Sequence, residues 1–244
     1  MISIKTQIKI QNHAIAIIGP SGVGKTAVAF EVARRADGEI VNLDKIYTFK
    51  GFPISSGLAD TLKEKRVKRH LYEFLEPNQE IISPIDYAKM IHVACLQISS
   101  KKKSFIIEGG SMTYFPSFYE NNKKNHFCKI IVGLKFPTAF DIRKKMMQRI
   151  EAALKEGILE EVKEGMTKYK DSLIMNDAHF VVPLVKYLKE EISLDRAKEE
   201  IVDRCLEYVE RQMALFNQYK EIIWIEHDPK LLTKTVEKIL ALSI

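Results

Sequence analysis

The chain has 244 residues, of which 46% are hydrophobic and 29% are charged. A chain of this length can bury most of its apolar surface in one large domain, or in a core with a smaller lobe, without disulfides. This composition is typical of a soluble globular protein and argues against extensive disorder. The formal net charge of +6 suits a polyanionic partner, such as an RNA or a phosphorylated small molecule, although lysine-rich loops exposed to solvent explain it equally simply.

The cysteines and the apolar runs indicate the compartment. Cys95, Cys128 and Cys205 are far apart and lack the C-x-x-C spacing of a metal or redox site, so we interpret them as reduced core thiols. The first residues contain no uninterrupted apolar h-region, and the sequence contains no run of about 18 apolar residues. We therefore expect a cytoplasmic protein without a membrane-spanning segment.

The clearest motif lies near the amino terminus. Residues 14–18 are continuously apolar and end at Gly19, a pattern typical of a strand buried on both faces of a parallel sheet. Residues 19–26 read GPSGVGKT and match G-x-x-x-x-G-K-[ST]. A helix is expected from Lys25 to about residue 36. This strand–loop–helix context predicts a P-loop and disfavours a glycine-rich turn without function.

A P-loop binds phosphate through backbone N–H groups, the positive end of the helix and its lysine. We therefore expect phosphate contacts from Gly19, Gly22, Val23, Gly24, Lys25 and Thr26. The hydroxyl of Thr26 is also the predicted ligand of Mg²⁺.

The remaining elements predict an α/β fold. Further strands are expected at 39–43, 104–107, 129–134 and 222–225, and helices near 138–155, 157–169, 179–190 and 194–219. Alternating strands and helices indicate a parallel sheet. We predict a P-loop NTPase-like parallel sheet with flanking helices and a C-terminal helical lobe. The predicted division is a core over 1–135, the lobe over 136–220, and a strand and helix over 221–244 that return to the core.

Two acidic residues follow or end expected strands. Asp44 comes after the second strand, at the sheet edge that carries the P-loop, where it can act as a base or anchor a nucleotide. It can equally cap the next helix, and the sequence leaves both interpretations open. The run that ends at Glu108 resembles a Walker B strand with Glu in place of Asp, and Gly109 and Gly110 after it permit close approach of a ligand.

Six further segments follow the P-loop in a fixed order. They are EIVNLD (39–44), RHLY (69–72) with Glu76-Pro77, EGGS (108–111), QRI (148–150), EGILEEV (156–162) and EYVERQ (207–212). Together with the P-loop they resemble the isopentenyltransferases, over about residues 12–225. The resemblance implies transfer of a dimethylallyl group from dimethylallyl diphosphate to the N6 amine of an adenine, with release of diphosphate.

The resemblance also implies roles for individual residues. Asp44 matches the base, and Ser21 stands where the family usually has Thr, with its hydroxyl near the bridging oxygen of the donor. Lys25 stabilises the leaving group. The diphosphate contacts implied outside the P-loop are Arg149, Tyr208 and Arg211, and the nucleotide contacts are Lys45, Gly110, Ser111 and Asp177. A surface or lobe-packing role is the alternative for Tyr208 and Arg211.

The family has two branches that differ in acceptor. Ser111 and Arg149 are 38 positions apart, too close for the helical insertion of the tRNA-modifying branch. This spacing resembles the compact enzymes that prenylate AMP, ADP or ATP in cytokinin synthesis. Residues 69–71 and 193–216 read more like the tRNA branch, so a tRNA dimethylallyltransferase is the alternative. A small-molecule kinase or a non-catalytic nucleotide-binding protein is the alternative of another class.

Three departures from the family pattern concern the ligands. Tyr47 stands where both branches usually have Gln, which affects the contacts to adenine. Asp177 is followed by Ala178-His179 where the family has Gly-Tyr. Arg211 stands where the enzymes that use hydroxylated donors have His, so plain dimethylallyl diphosphate is the expected donor.

Overall fold

The computed structural model describes residues 14–58, 66–138 and 141–242. Within these ranges one parallel sheet has the strand order β3-β2-β4-β1-β5-β6. Its strands are β1 (Ala14–Ile18), β2 (Gly38–Asn42), β3 (Arg69–His70), β4 (Ser104–Gly109), β5 (Cys128–Lys135) and β6 (Ile223–Glu226). The α/β class predicted from the sequence is confirmed.

Helices flank the sheet and form the lobe. In chain order they are α1 (Lys25–Arg35), α2 (Pro53–Ser56), α3 (Pro84–Ser100), α4 (Phe115–Asn125), α5 (Ile142–Glu156), α6 (Ile158–Lys168), α7 (Leu173–Asp177), α8 (Val181–Leu188), α9 (Leu194–Phe216) and α10 (Leu232–Ala241). Short 3₁₀ turns cover Ile46–Thr48 and Pro229–Leu231. Across the described ranges, no helix combines the length and apolar character needed to cross a membrane. The cytoplasmic location stays a prediction.

Strand β1 lies at the centre of the sheet, between β4 and β5. Residues 15–18 are completely buried because apolar layers cover both faces of the sheet. One layer contains side chains of α1 and α10, and the other contains side chains of α3 and α4. Burial of each large aliphatic side chain contributes about 1.5–3 kcal/mol, so the P-loop that follows β1 starts from a rigid support.

A third apolar cluster joins α5 to α9 beside the sheet, as expected for a C-terminal helical lobe. Ser193 caps α9, and its hydroxyl accepts a hydrogen bond from the Arg196 N–H at 3.2 Å. The predicted domain boundaries stay a prediction.

Several predicted boundaries are wrong by a few residues. Helix α9 ends at Phe216 instead of 219, and α8 covers Val181–Leu188 instead of 179–190. The helix expected from 138 starts at Ile142, after Asp141 accepts the Lys144 N–H. Positions 139–140 of that predicted helix lie outside the described residues.

Candidate active site

The P-loop connects β1 to α1 and has the backbone that its glycines allow. Gly22 and Gly24 have φ of +77° and +102°, a region that side chains disfavour. A Cβ atom at Gly22 would lie 2.2 Å from Cε of Met146 on α5. The lobe therefore packs directly on the loop, and the positive φ of Gly22 strains any other residue at this position.

Lys25 is buried at the start of α1. Its Nζ donates a hydrogen bond to the Pro20 carbonyl at 2.9 Å. Burial lowers the pKa of Lys25, and the negative charges of Asp44 and Glu108 oppose that change. These charges place both carboxylates near the ammonium group.

Glu108 lies in β4 next to the P-loop strand and is completely buried. One carboxylate oxygen accepts the Tyr72 hydroxyl at 2.7 Å, and the other accepts the Thr26 hydroxyl at 3.4 Å. Burial raises the pKa of Glu108. Tyr47 stacks on Tyr72 with ring centroids 5.9 Å apart. Tyr47 therefore packs beside the tyrosine that holds Glu108.

The oxygen atoms beside the P-loop fit a magnesium ion. The Thr26 hydroxyl, the Glu108 carboxylate and the nearby Asp44 carboxylate are hard donors of the kind Mg²⁺ prefers. Within the described residues there is no cluster of three or more His, Cys, Asp or Glu that could hold a metal ion. A magnesium ion bound through Thr26 stays a prediction.

Asp44 has the capping role that the sequence left open as one of two. Its Oδ1 accepts the Ile46 N–H at 3.0 Å, so it does cap the short turn that follows β2. Its charge also acts on Lys25 and on Tyr208. The role of Asp44 as a base stays a prediction.

Arg149 extends from α5 toward the P-loop. Its Nη2 donates to the Ser56 carbonyl at 3.1 Å, and its guanidinium lies 4.7 Å from the ring centroid of Phe180. The charge of Arg149 lowers the pKa of Lys25. A cation from the lobe is thus held beside the cation of the P-loop, an arrangement that a diphosphate would stabilise.

Helix α9 contributes Tyr208 and Arg211 to the same cleft. The guanidinium of Arg211 is exposed and lies 5.8 Å from the ring centroid of Tyr208, so the two share one face as predicted. The Tyr208 ring lies 4.6 Å from the His179 ring, centroid to centroid. Tyr208 therefore packs on its neighbour, whereas Arg211 is exposed to solvent.

The predicted nucleotide contacts fall into two pairs. Lys45 and Asp177 form an ion pair at 3.3 Å, although 132 positions separate them in the chain. Ser111 is buried, and its hydroxyl accepts the Tyr114 N–H at 3.1 Å, which gives it a capping function. Gly110 lies against the P-loop, because a Cβ there would be 2.6 Å from the Gly19 carbonyl oxygen.

Three contacts at the site, made by two residues, were not predicted from the sequence. Tyr72 holds Glu108, and Gln212 of α9 bonds to both Ser21 and Gly110. The apolar stripe of α9 contains Gln212, and a polar residue in such a stripe is the signal that marks it. Nothing local in the sequence indicates that Tyr72 reaches β4.

The parallel sheet, the P-loop and the C-terminal helices define a P-loop α/β protein. Residues 12–221 match the family model described as isopentenyl transferase, and the chain belongs to that family. It is therefore a prenyltransferase of the isopentenyl transferase family.

Individual relatives lie in both branches. The chain is 25% identical to adenylate isopentenyltransferase 7, mitochondrial, of Arabidopsis thaliana, covering 91% of this chain and 69% of that protein. It is 24% identical to the tRNA dimethylallyltransferase of Pelagibacter ubique, covering 94% and 96%. Among solved structures, a tRNA delta(2)-isopentenylpyrophosphate transferase from Staphylococcus epidermidis superposes with a TM-score of 0.82 at 18% identity, covering 95% of this chain and 99% of that one.

Proposed function

We propose that the protein transfers a dimethylallyl group from dimethylallyl diphosphate to the N6 amine of a free adenine nucleotide and releases diphosphate. The observation that carries the proposal is that Asp44 acts electrostatically on both Lys25 of the P-loop and Tyr208 of α9. Arg149 acts on Lys25 as well, and Arg211 lies beside Tyr208.

The leaving group is the diphosphate. Cleavage of the bond between the allylic carbon and its oxygen moves an electron pair onto the diphosphate, and the preorganised charges of Lys25, Arg149 and Arg211 stabilise that pair as it forms. The Ser21 hydroxyl is the group we place at the bridging oxygen. Mg²⁺, bound with the diphosphate through Thr26, would neutralise further charge on its oxygens.

The acceptor is the N6 amine. A new bond forms between this nitrogen and the allylic carbon while the carbon–oxygen bond breaks, and Asp44 takes the proton that the nitrogen loses. The contact from Ile46 N–H to Asp44 Oδ1 keeps the carboxylate oriented during that transfer. The Asp44 carboxylate is thus held in one orientation by the turn and acts as the base.

We prefer a free nucleotide to tRNA because of the spacing in the sequence. Ser111 and Arg149 are 38 positions apart, the spacing that the resemblance assigns to the compact enzymes that act on free nucleotides. The relatives themselves include both kinds of enzyme at similar identity. A tRNA acceptor is the second candidate, supported by the net charge of +6.

One experiment tests the proposal. The purified protein is incubated with dimethylallyl diphosphate and Mg²⁺, and with AMP, ADP, ATP or unmodified tRNA in parallel. Mass spectrometry should detect a prenyl increment on a free nucleotide. Prenylated tRNA without a nucleotide product would contradict our choice of acceptor, and ATP-dependent phosphate transfer to a small molecule would identify a kinase instead.

A further inference from the structure

Gln212 is a buried polar residue on α9, directly after Arg211 and one turn after Tyr208. Its side chain is completely inaccessible to solvent. Nε2 donates a hydrogen bond to the Gly110 carbonyl at 2.6 Å, and Oε1 accepts the Ser21 N–H at 2.8 Å. One amide group thus joins the lobe, the P-loop and the loop after β4.

Both contacts depend on an amide at position 212. The Ser21 N–H needs an acceptor and the Gly110 carbonyl needs a donor, and among side chains of this length and shape only Gln offers both at once without charge. The space around the Gln212 amide is also closed at Gly110, because a Cβ there would lie 2.8 Å from Nε2 of Gln212. A hydrophobic residue of the same size would leave two buried backbone groups without partners.

The contact with Ser21 has a consequence for the reaction. Because Gln212 occupies the Ser21 N–H, that N–H is not directed at phosphate, and Ser21 can contribute its hydroxyl. The orientation of this hydroxyl follows from where Gln212 holds the backbone. Gln212 also follows Arg211 in α9, so it fixes the distance between the exposed guanidinium and the P-loop.

We propose that Gln212 is a positioning residue for prenyl transfer, which holds Ser21 at the bridging oxygen of the donor and ties the diphosphate-binding face of α9 to the P-loop. The inference rests on the proposed function. It assigns to Gln212 an action through Ser21, without contact between Gln212 and the substrate. Interactions that act through one another give non-additive effects on rate.

The test is a double-mutant cycle with Gln212→Met and Ser21→Ala. Each single variant should lower kcat by roughly 10- to 100-fold, within the range found for loss of a preorganised group. The kcat of the double variant should be within about threefold of the kcat of the slower single variant. Removal of the Ser21 hydroxyl costs little further activity when Ser21 is already displaced. Multiplied losses in the double variant would overturn the proposal.

Two controls separate positioning from stability. Gln218→Met changes an exposed glutamine just beyond α9 and should leave kcat unchanged. Thermal unfolding should show that Gln212→Met is folded at the assay temperature, and a loss of activity equal to its unfolded fraction would also overturn the proposal. If Gln212→Met does not fold, Gln212→Ala replaces it in the cycle, since it also removes the acceptor for the Ser21 N–H and leaves room for water beside the two backbone groups.

Binding of Mg²⁺–diphosphate distinguishes this inference from the proposed function. If the wild-type protein prenylates no acceptor, the proposed function fails. The same cycle is then measured by calorimetry with inorganic diphosphate and Mg²⁺. Non-additive losses of affinity would support the link between Gln212 and Ser21, and additive losses would overturn it.

Discussion

Asp44 is at once a turn cap and the predicted base, and a conservative substitution separates the two functions. In Asp44→Asn the amide oxygen can still accept the Ile46 N–H, so the turn should survive. The amide cannot take a proton from N6, so kcat should fall by about 10²- to 10⁴-fold while donor affinity is retained. Steady-state kinetics and thermal unfolding check this result.

The matched control is Asp171→Asn, at an exposed position in the loop after α6. It should leave kcat and the unfolding temperature unchanged. If instead the activity of Asp44→Asn fell in parallel with its unfolding temperature, Asp44 would be a cap without a part in the chemistry.

Arg211 is exposed beside Tyr208, and its predicted partner is the donor diphosphate. A guanidinium can bind two phosphate oxygens with a fixed fork, which a lysine cannot reproduce. Arg211→Lys should therefore raise the donor KM by more than roughly fivefold, beyond the 0–1 kcal/mol of an exposed ion pair. The acceptor KM should stay nearly constant.

Arg196→Lys is the matched control, since Arg196 lies on the same helix and pairs with Glu199 and Glu200 away from the cleft. Its donor KM should equal that of the wild type. Equal changes of donor and acceptor KM in Arg211→Lys, or no change in either, would return Arg211 to the solvated face of α9.

At the scale of elements, the junction between α7 and α8 should make the lobe sensitive to acid. His179 packs on Tyr208 of α9, and burial together with the charges of Arg204, Arg211 and Lys45, opposed by Asp177, lowers its pKa from 6.5 to about 4. As the pH falls below 6.5, His179 is protonated in the unfolded chain before it is protonated in the folded protein. The stability that neutral His179 contributes is therefore complete above pH 6.5 and is lost between 6.5 and 4.

His179→Phe should remove this part of the acid sensitivity while it keeps a ring against Tyr208. The wild type should lose up to about 3 kcal/mol more than the variant between pH 7 and pH 4, the upper limit from the pKa difference. Urea unfolding across this range measures the difference. His92→Phe, which keeps a ring beside Phe127, is the control, and an identical pH dependence of wild type and His179→Phe would contradict the argument.

The elements that were predicted correctly have recognisable features in their own sequence. β1 is continuously apolar, α1 follows the P-loop motif, and Ser193 caps α9, so each is fixed by nearby residues. Helix α3 was not predicted although Ser83 caps it and Pro84 occupies its first turn. The two-residue strand β3 is defined by its pairing with β2 and has no local pattern.

The residues of the candidate site also include some that the sequence predicts and others that it does not. The P-loop and Asp44 follow from motif and strand order, because carboxyl ends of parallel strands share one edge. The contact of Gln212 with Ser21 joins positions 191 apart, and that of Tyr72 with Glu108 joins positions 36 apart. Such contacts depend on how the lobe packs on the sheet, which no local pattern specifies.

At the scale of the whole molecule, the proposed diphosphate site takes residues from both the core and the lobe. Lys25 belongs to the core, whereas Arg149 and Arg211 extend from lobe helices α5 and α9. A ligand that binds only this assembled cleft stabilises the whole folded chain, by about 2.7 kcal/mol at one hundred times its Kd. For a chain of this size that corresponds to an increase in Tm of roughly 5–10 °C.

Inorganic diphosphate with Mg²⁺ should therefore raise the Tm of the wild type in one cooperative transition, measured by calorimetry. Lys25→Ala should lose most of this increase, because the buried ammonium bonds to the P-loop itself at Pro20 and is preorganised for the diphosphate. Lys123→Ala, at an exposed position on α4, should keep the full increase. An equal increase in Lys25→Ala would place the diphosphate elsewhere, and a shift confined to one of two transitions would mean that the lobe does not take part in binding it.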